Sequence, residues 1–113
     1  MKALLIAADG TVTDVEPTGL KEVQALVGGY IEAVAMPGGA EGYANEDGKT
    51  MGLPENAAPR ARPARARWPR GLWRMPGDYL SGDVLVFGGI DAEGDERDVT
   101  QKQADFIRSR ALP

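Results

Sequence analysis

The chain of 113 residues contains no cysteine and no histidine. The first absence excludes disulfides, thiolate metal sites and cysteine nucleophiles. The second removes the commonest general base and the commonest protein metal ligand. Serine is scarce: Ser81 and Ser109 are the two present, and neither sits in a nucleophile elbow. Covalent catalysis would therefore need a lysine or carboxylate base. Long apolar runs are missing as well. Ala3 to Ala8 is too short for a signal sequence and stops at Asp9-Gly10, and no window reaches the length of a membrane span. These absences point away from an enzyme, a cofactor, a metal and a membrane, and toward a cytoplasmic protein.

What the chain does have is glycine, proline and a polarised charge. There are 15 Gly and 8 Pro, which suits a turn-rich fold. The net charge of −4 is unevenly spread. Residues 1 to 58 and 76 to 113 are acidic. Between them, Arg60, Arg62, Arg65, Arg67, Arg70 and Arg74 are interleaved with Trp68 and Trp73, with no acid from Pro59 to Met75. Such a segment can fold back on its own acidic surface or meet an external anion.

Strand and helix signals can be placed on either side of it. Ala3 to Ala8 reads as a buried strand, Asp9-Gly10 as a two-residue type I′ hairpin turn, and Thr11 to Glu16 as the returning strand. Thr18 is the expected N-cap of a helix whose apolar stripe is Leu20, Val23, Leu26 and Val27. Gly28-Gly29 ends it. Tyr30 to Ala35 and Glu41 to Asn45 read as strands, and Met51 to Asn56 as a helical turn. Residues 57 to 77 show no period, and Pro59, Pro63, Pro69 and Pro76 exclude a continuous helix or central strand. Asp83 to Gly88 is apolar on both faces and reads as the central strand. Asp91 to Asp98 is a polar turn. Thr100 and Gln103 form a capping box for a last helix packed through Ala104, Phe106, Ile107 and Ala111. The expectation is one α+β domain over 1–113: a small, mostly antiparallel sheet, two helices, and a flexible basic Arg/Pro-rich loop at about 57–77.

Several blocks resemble one family. Met1-Lys2-Ala3-Leu4-Leu5-Ile6 and Leu26-Val27-Gly28-Gly29-Tyr30-Ile31-Glu32-Ala33-Val34 are similar to it. So are Asn45-Glu46-Asp47-Gly48-Lys49, Gly52-Leu53-Pro54-Glu55-Asn56 and Ser81-Gly82-Asp83-Val84-Leu85-Val86. The family is the domain of unknown function 3846, found in phages, plasmids and their bacterial hosts, often actinobacterial. The resemblance covers roughly 1–56 and 78–99, and the stretch from Pro59 to Pro76 departs from it. It implies a mobile-element setting and a cytoplasmic protein, and brings no catalytic residue with it.

The lead expectation is thus a small accessory protein of a phage or mobile element that binds a host or phage protein. Its contact residues are taken from the resembling blocks: Tyr30, Glu32, Tyr43, Asn45 and Asn56. One alternative is single-stranded nucleic acid bound by Arg60, Arg62, Arg65, Arg67, Arg70 and Arg74 with Trp68 and Trp73. The plainer reading of that segment is a solvated loop. Another alternative is a small-molecule binder that sequesters a nucleotide. Gly28-Gly29 has the wrong polarity for a phosphate loop, which needs a strand before it and a helix after it. Asp91, Glu93, Asp95 and Asp98 fail as a calcium loop, with Glu96 where Gly is required and Lys102 where the bidentate Glu belongs. The oligomeric state is left open.

Overall fold

The computed structural model describes residues 1–54, 56 and 80–111. The expected basic loop at 57–77 lies outside the described residues. Five strands form one sheet: β1 (Ala3–Ile6), β2 (Val12–Val15), β3 (Ile31–Ala35), β4 (Glu41–Asn45) and β5 (Val84–Phe87), in the order β2-β1-β5-β4-β3. Every neighbouring pair is antiparallel. Among the described residues two α-helices, α1 (Gly19–Val27) and α2 (Gln101–Ala111), complete the α+β fold.

The centre is β5. Its residues Val84, Leu85, Val86 and Phe87 are all 0–2% exposed. Side chains alternate across a strand, so a run apolar at every position needs cover on both sides. The chain provides it. Val84 and Val86 join Leu4, Ile6, Val34, Ala44, Ala104 and Ile107 on the α2 side. Leu85 and Phe87 join Ala3, Val23 and Val27 on the α1 side. The result is a three-layer arrangement of helix, sheet and helix. Burying each β5 side chain contributes ~1.5–3 kcal/mol, and all four are buried.

Local signals set the helix ends. Gly28 adopts φ 83°, and its N–H donates to Gln24 O at 2.8 Å, closing α1 in the left-handed conformation that glycine accepts. At α2, Gln103 N–H donates to Thr100 Oγ1 at 3.1 Å, and Thr100 N–H donates to Gln103 Oε1 at 2.9 Å. That is the reciprocal capping box read from the sequence.

Other local expectations are corrected. Thr18 is extended at the N-cap, but its hydroxyl meets the Glu22 carboxylate instead of a free amide. Leu20 is 57% exposed, so the buried stripe of α1 is Val23 and Val27, with Leu26 at its margin. The first hairpin is not type I′. Ala7 N–H donates to Thr11 O and Gly10 N–H to Ala7 O, both at 2.8 Å, and only glycine among the described residues has positive φ. The loop therefore spans Ala8, Asp9 and Gly10, with Gly10 at φ 94° supplying the reversal. The Asp9 carboxylate accepts Thr11 N–H at 2.9 Å, which holds its pKa below the usual carboxylate value. Of the helical turn expected over Met51–Asn56, the described residues show only turns at 46–52, with 53, 54 and 56 outside any helix. The polar stretch 91–98 is not all turn: residues 91–95 form the tip of a short hairpin, β6 (Gly89–Ile90) with β7 (Glu96–Arg97). Asp91 Oδ1 organises it by accepting Glu93 N–H at 3.0 Å and Asp95 N–H at 2.9 Å.

The two-sided core makes a specific prediction. Ile107→Ala, which opens the α2 layer, should cost ~2–5 kcal/mol in urea unfolding. Leu20→Ala, on an exposed turn of α1, should stay within ~0.5 kcal/mol.

Candidate functional site

Two stretches distant in sequence meet at one end of the sheet. There α1 stops at Gly28, β3 starts after Tyr30, and β4 ends at Asn45 before the turns of 46–52. Buried Asn45 joins them. Its Nδ2 donates to Val27 O at 3.2 Å and lies 3.6 Å from Met51 Sδ, while Oδ1 accepts Asp47 N–H at 2.8 Å. The helix end, the strand end and the following turn are thereby held by one side chain. Gly29 allows this approach, since a Cβ there would lie 3.0 Å from Asn45 Nδ2.

A second buried asparagine, Asn56, ties the chain together in a similar way. Its Nδ2 donates to Ile6 O at 2.9 Å and to Gly82 O at 2.8 Å, and its N–H donates to Leu80 O at 2.7 Å. Pro54 O accepts Gly82 N–H at 2.7 Å. These bonds fix Leu53 and Pro54 beside the start of β5.

Between the two asparagine anchors runs an open cleft of about 320 Å³. Leu26, Val27, Met51, Leu53 and Pro54 give it an apolar lining, completed by small residues and Asp83. Met51 is 56% exposed. Asp83 is the one ionisable residue lining it among the described residues, and its carboxylate accepts Ala8 N–H at 2.9 Å. The cleft can take up apolar groups, and among the described residues its lining carries no cation. Among the described residues no cluster of three or more His, Cys, Asp or Glu could hold a metal. Nor is any helix there long and apolar enough to cross a membrane.

The five expected contact residues do not share one surface. Tyr30 is 71% exposed, two residues beyond Gly28 at the cleft wall. Glu32 is half-buried on β3, opposite Ala44. Tyr43 faces the α1 layer, its ring centroid 4.8 Å from that of Phe87. Burial pushes the Tyr43 phenol well above its ordinary value, helped by a hydrogen bond to Glu96 and by the negative charges of Glu96 and Glu41. Asn45 and Asn56 are 4% and 1% exposed and bind the chain itself, so they build the site from within. The cleft residues Leu26, Met51, Leu53 and Pro54 carry no signal in the sequence that marks them as a site. The residues Arg60, Arg62, Arg65, Arg67, Trp68, Arg70, Trp73 and Arg74 lie outside the described residues.

A family model described as a domain of unknown function (DUF3846) matches residues 1–111. The match runs beyond the blocks that carry the resemblance, through α2. The chain belongs to this family. No curated protein and no solved structure matches it.

Two outcomes follow from the burial pattern. Asn56→Ala should leave the Gly82 carbonyl without its side-chain donor and remove a second donor from the Ile6 carbonyl, destabilising by ~1–3 kcal/mol. Tyr30→Ala should stay within ~0.5 kcal/mol in the same unfolding measurement. The raised Tyr43 pKa gives a signed pH dependence. Its contribution is complete below the unfolded tyrosine value of about 10 and is lost as pH rises through the folded value. A tyrosinate absorbance titration should show a late component that Tyr43→Phe removes.

Proposed function

We propose that this member of the DUF3846 family works by holding a protein partner, without catalysis. We read it as a small accessory protein of a phage or other mobile element, acting in the cytoplasm. The observation that carries this reading is the apolar cleft of Leu26, Met51, Leu53 and Pro54 with exposed Tyr30 beside it. A cleft of this kind takes up aliphatic side chains of a partner. Methionine adapts its shape to them, and a rigid exposed tyrosine is a favoured anchor at such contacts. The blocks that carry the family resemblance converge on this end of the sheet, through Val27, Gly28 and Gly29, Asn45, and Leu53, Pro54 and Asn56. A host or phage protein is the partner that suits this chemistry.

Among the described residues the cleft lining carries no cation and is mostly apolar, which favours an aliphatic group over the phosphates of a nucleotide. Nucleic acid stands as a second reading because of the arginines and tryptophans of residues 60–74. The mobile-element setting is what the family resemblance implies.

Affinity capture from bacterial host lysate separates these readings. The full chain should retain a defined protein in the presence of nuclease. Met51→Asp, which places a charge in the cleft, should lose at least ~90% of it, an affinity loss of roughly tenfold. Its melting temperature should not fall, since Met51 is exposed. Capture that survives Met51→Asp and Tyr30→Ala contradicts the cleft. Capture abolished by nuclease favours nucleic acid.

A further inference from the structure

The two rims of the sheet are treated differently. β2 and β3 are its outer strands. Outer strands present unpaired N–H and C=O groups, which proteins usually block. On β2 the block is visible. Arg108 from α2 donates through Nη1 to Val12 O at 3.4 Å, while its Nη2 lies 3.0 Å from Asp14 Oδ1. A guanidinium thus lies across that rim.

On β3 no described element runs alongside the outer edge. The ladder parity shows which groups point outward. Glu46 N–H donates to Tyr30 O at 2.8 Å, and Met36 N–H donates to Ala40 O at 3.0 Å. Hydrogen-bonded pairs alternate along an antiparallel ladder, so Glu32 and Val34 bond inward to β4. Ile31, Ala33 and Ala35 therefore turn their N–H and C=O groups outward. The strand has no proline, no lysine and no bulge to discourage pairing.

We infer that β3 pairs with β3 of a second copy of this chain, antiparallel, about a two-fold axis at Ala33. In that register Ile31 faces Ala35 of the second copy and Ala33 faces its own counterpart. Each outward-facing residue then exchanges both backbone hydrogen bonds, and the two sheets become one. Ala33 is exposed and small, so nothing bulky stands on the axis. Charge selects the register. About Ala33, Glu32 lies opposite Val34 of the second copy. Shifting the axis to Glu32 sets the two glutamates face to face, which is unfavourable. Shifting it to Val34 brings Pro37, which has no N–H, opposite Ile31. A seam one strand long is small for a protein interface, so the dimer forms in a concentration-dependent way. The inference does not rest on the cleft, because Tyr30 falls at each end of the seam and Met51 outside it.

Sedimentation equilibrium of the full chain over a concentration series reaching the millimolar range tests this. The expected mass rises from the 12.0 kDa of one chain to twice that value. Ala33→Pro removes an N–H that the β3–β4 ladder does not use. It should stay monomeric throughout, with an unchanged far-UV circular dichroism spectrum. Should Ala33→Pro disturb the strand, Ala33→Lys and Ala33→Glu give a second test. Each alone should associate more weakly than the parent chain, and their mixture severalfold more tightly than either alone. A parent chain that stays at 12.0 kDa overturns the inference. So does a dimer indifferent to the residue at 33.

Discussion

The structure depends on one constraint: a strand with four consecutive apolar side chains must be covered on both faces. Val84 to Phe87 meets it by standing third of five in the sheet, with α1 over one face and α2 over the other. The order of the sheet follows. β5, late in the sequence, inserts between β1 and β4, so the N-terminal and C-terminal regions of the chain share one core. The helices lie at opposite ends of the sequence and on opposite sides of the sheet, because one apolar stripe cannot cover two faces.

That architecture decides where binding can occur. With both faces covered by helices, the sheet itself is open to a partner at its rims and ends among the described residues. At one end, Asn45 and Asn56 gather a helix terminus, two strand ends and a turn around an apolar cleft. Their hydrogen bonds to main-chain groups keep the cleft walls in place, and their burial raises the cost of losing either bond. Along the rims, β2 carries Arg108 across its outward carbonyl and β3 carries nothing comparable among the described residues. Structural support and potential contact surface are thus divided between adjacent residues: Asn45 holds the framework while Tyr30 and Met51 stand in solvent.

Much of the fold was legible in the sequence, for reasons visible in particular residues. Val84 to Phe87 is apolar at every position, a pattern few arrangements other than a central strand satisfy. Gly28 and the Thr100–Gln103 pair act locally, so their sequence signals survive folding. The failures have physical causes too. Leu20 fits the helical period but projects past the edge of the sheet contact, where tertiary packing and not periodicity decides burial. Asp9-Gly10 suits a two-residue turn, yet the ladder closes at Ala7 and Thr11 and leaves three residues in the loop. β6 and β7 are two residues each, too short to show a period. In the candidate site, Tyr30 was readable only as part of a block that resembles the family; its exposure follows from tertiary packing. Asparagine is usually exposed, so Asn45 and Asn56 read as surface contacts. Their partners at Val27, Ile6 and Gly82 are far away in sequence, and so the bonds that bury them leave no trace in local pattern.

Native-state hydrogen exchange resolved by residue tests the central claim most directly. If β5 is the shared centre of one two-sided core, its amides should exchange only through global unfolding. The buried turns of α1 around Val23 and of α2 around Ile107 should open with the same free energy. Exchange from α1 or α2 at markedly lower free energy than from β5, with the strand still protected, would contradict it. It would mean that one face of the sheet is stable without its helix.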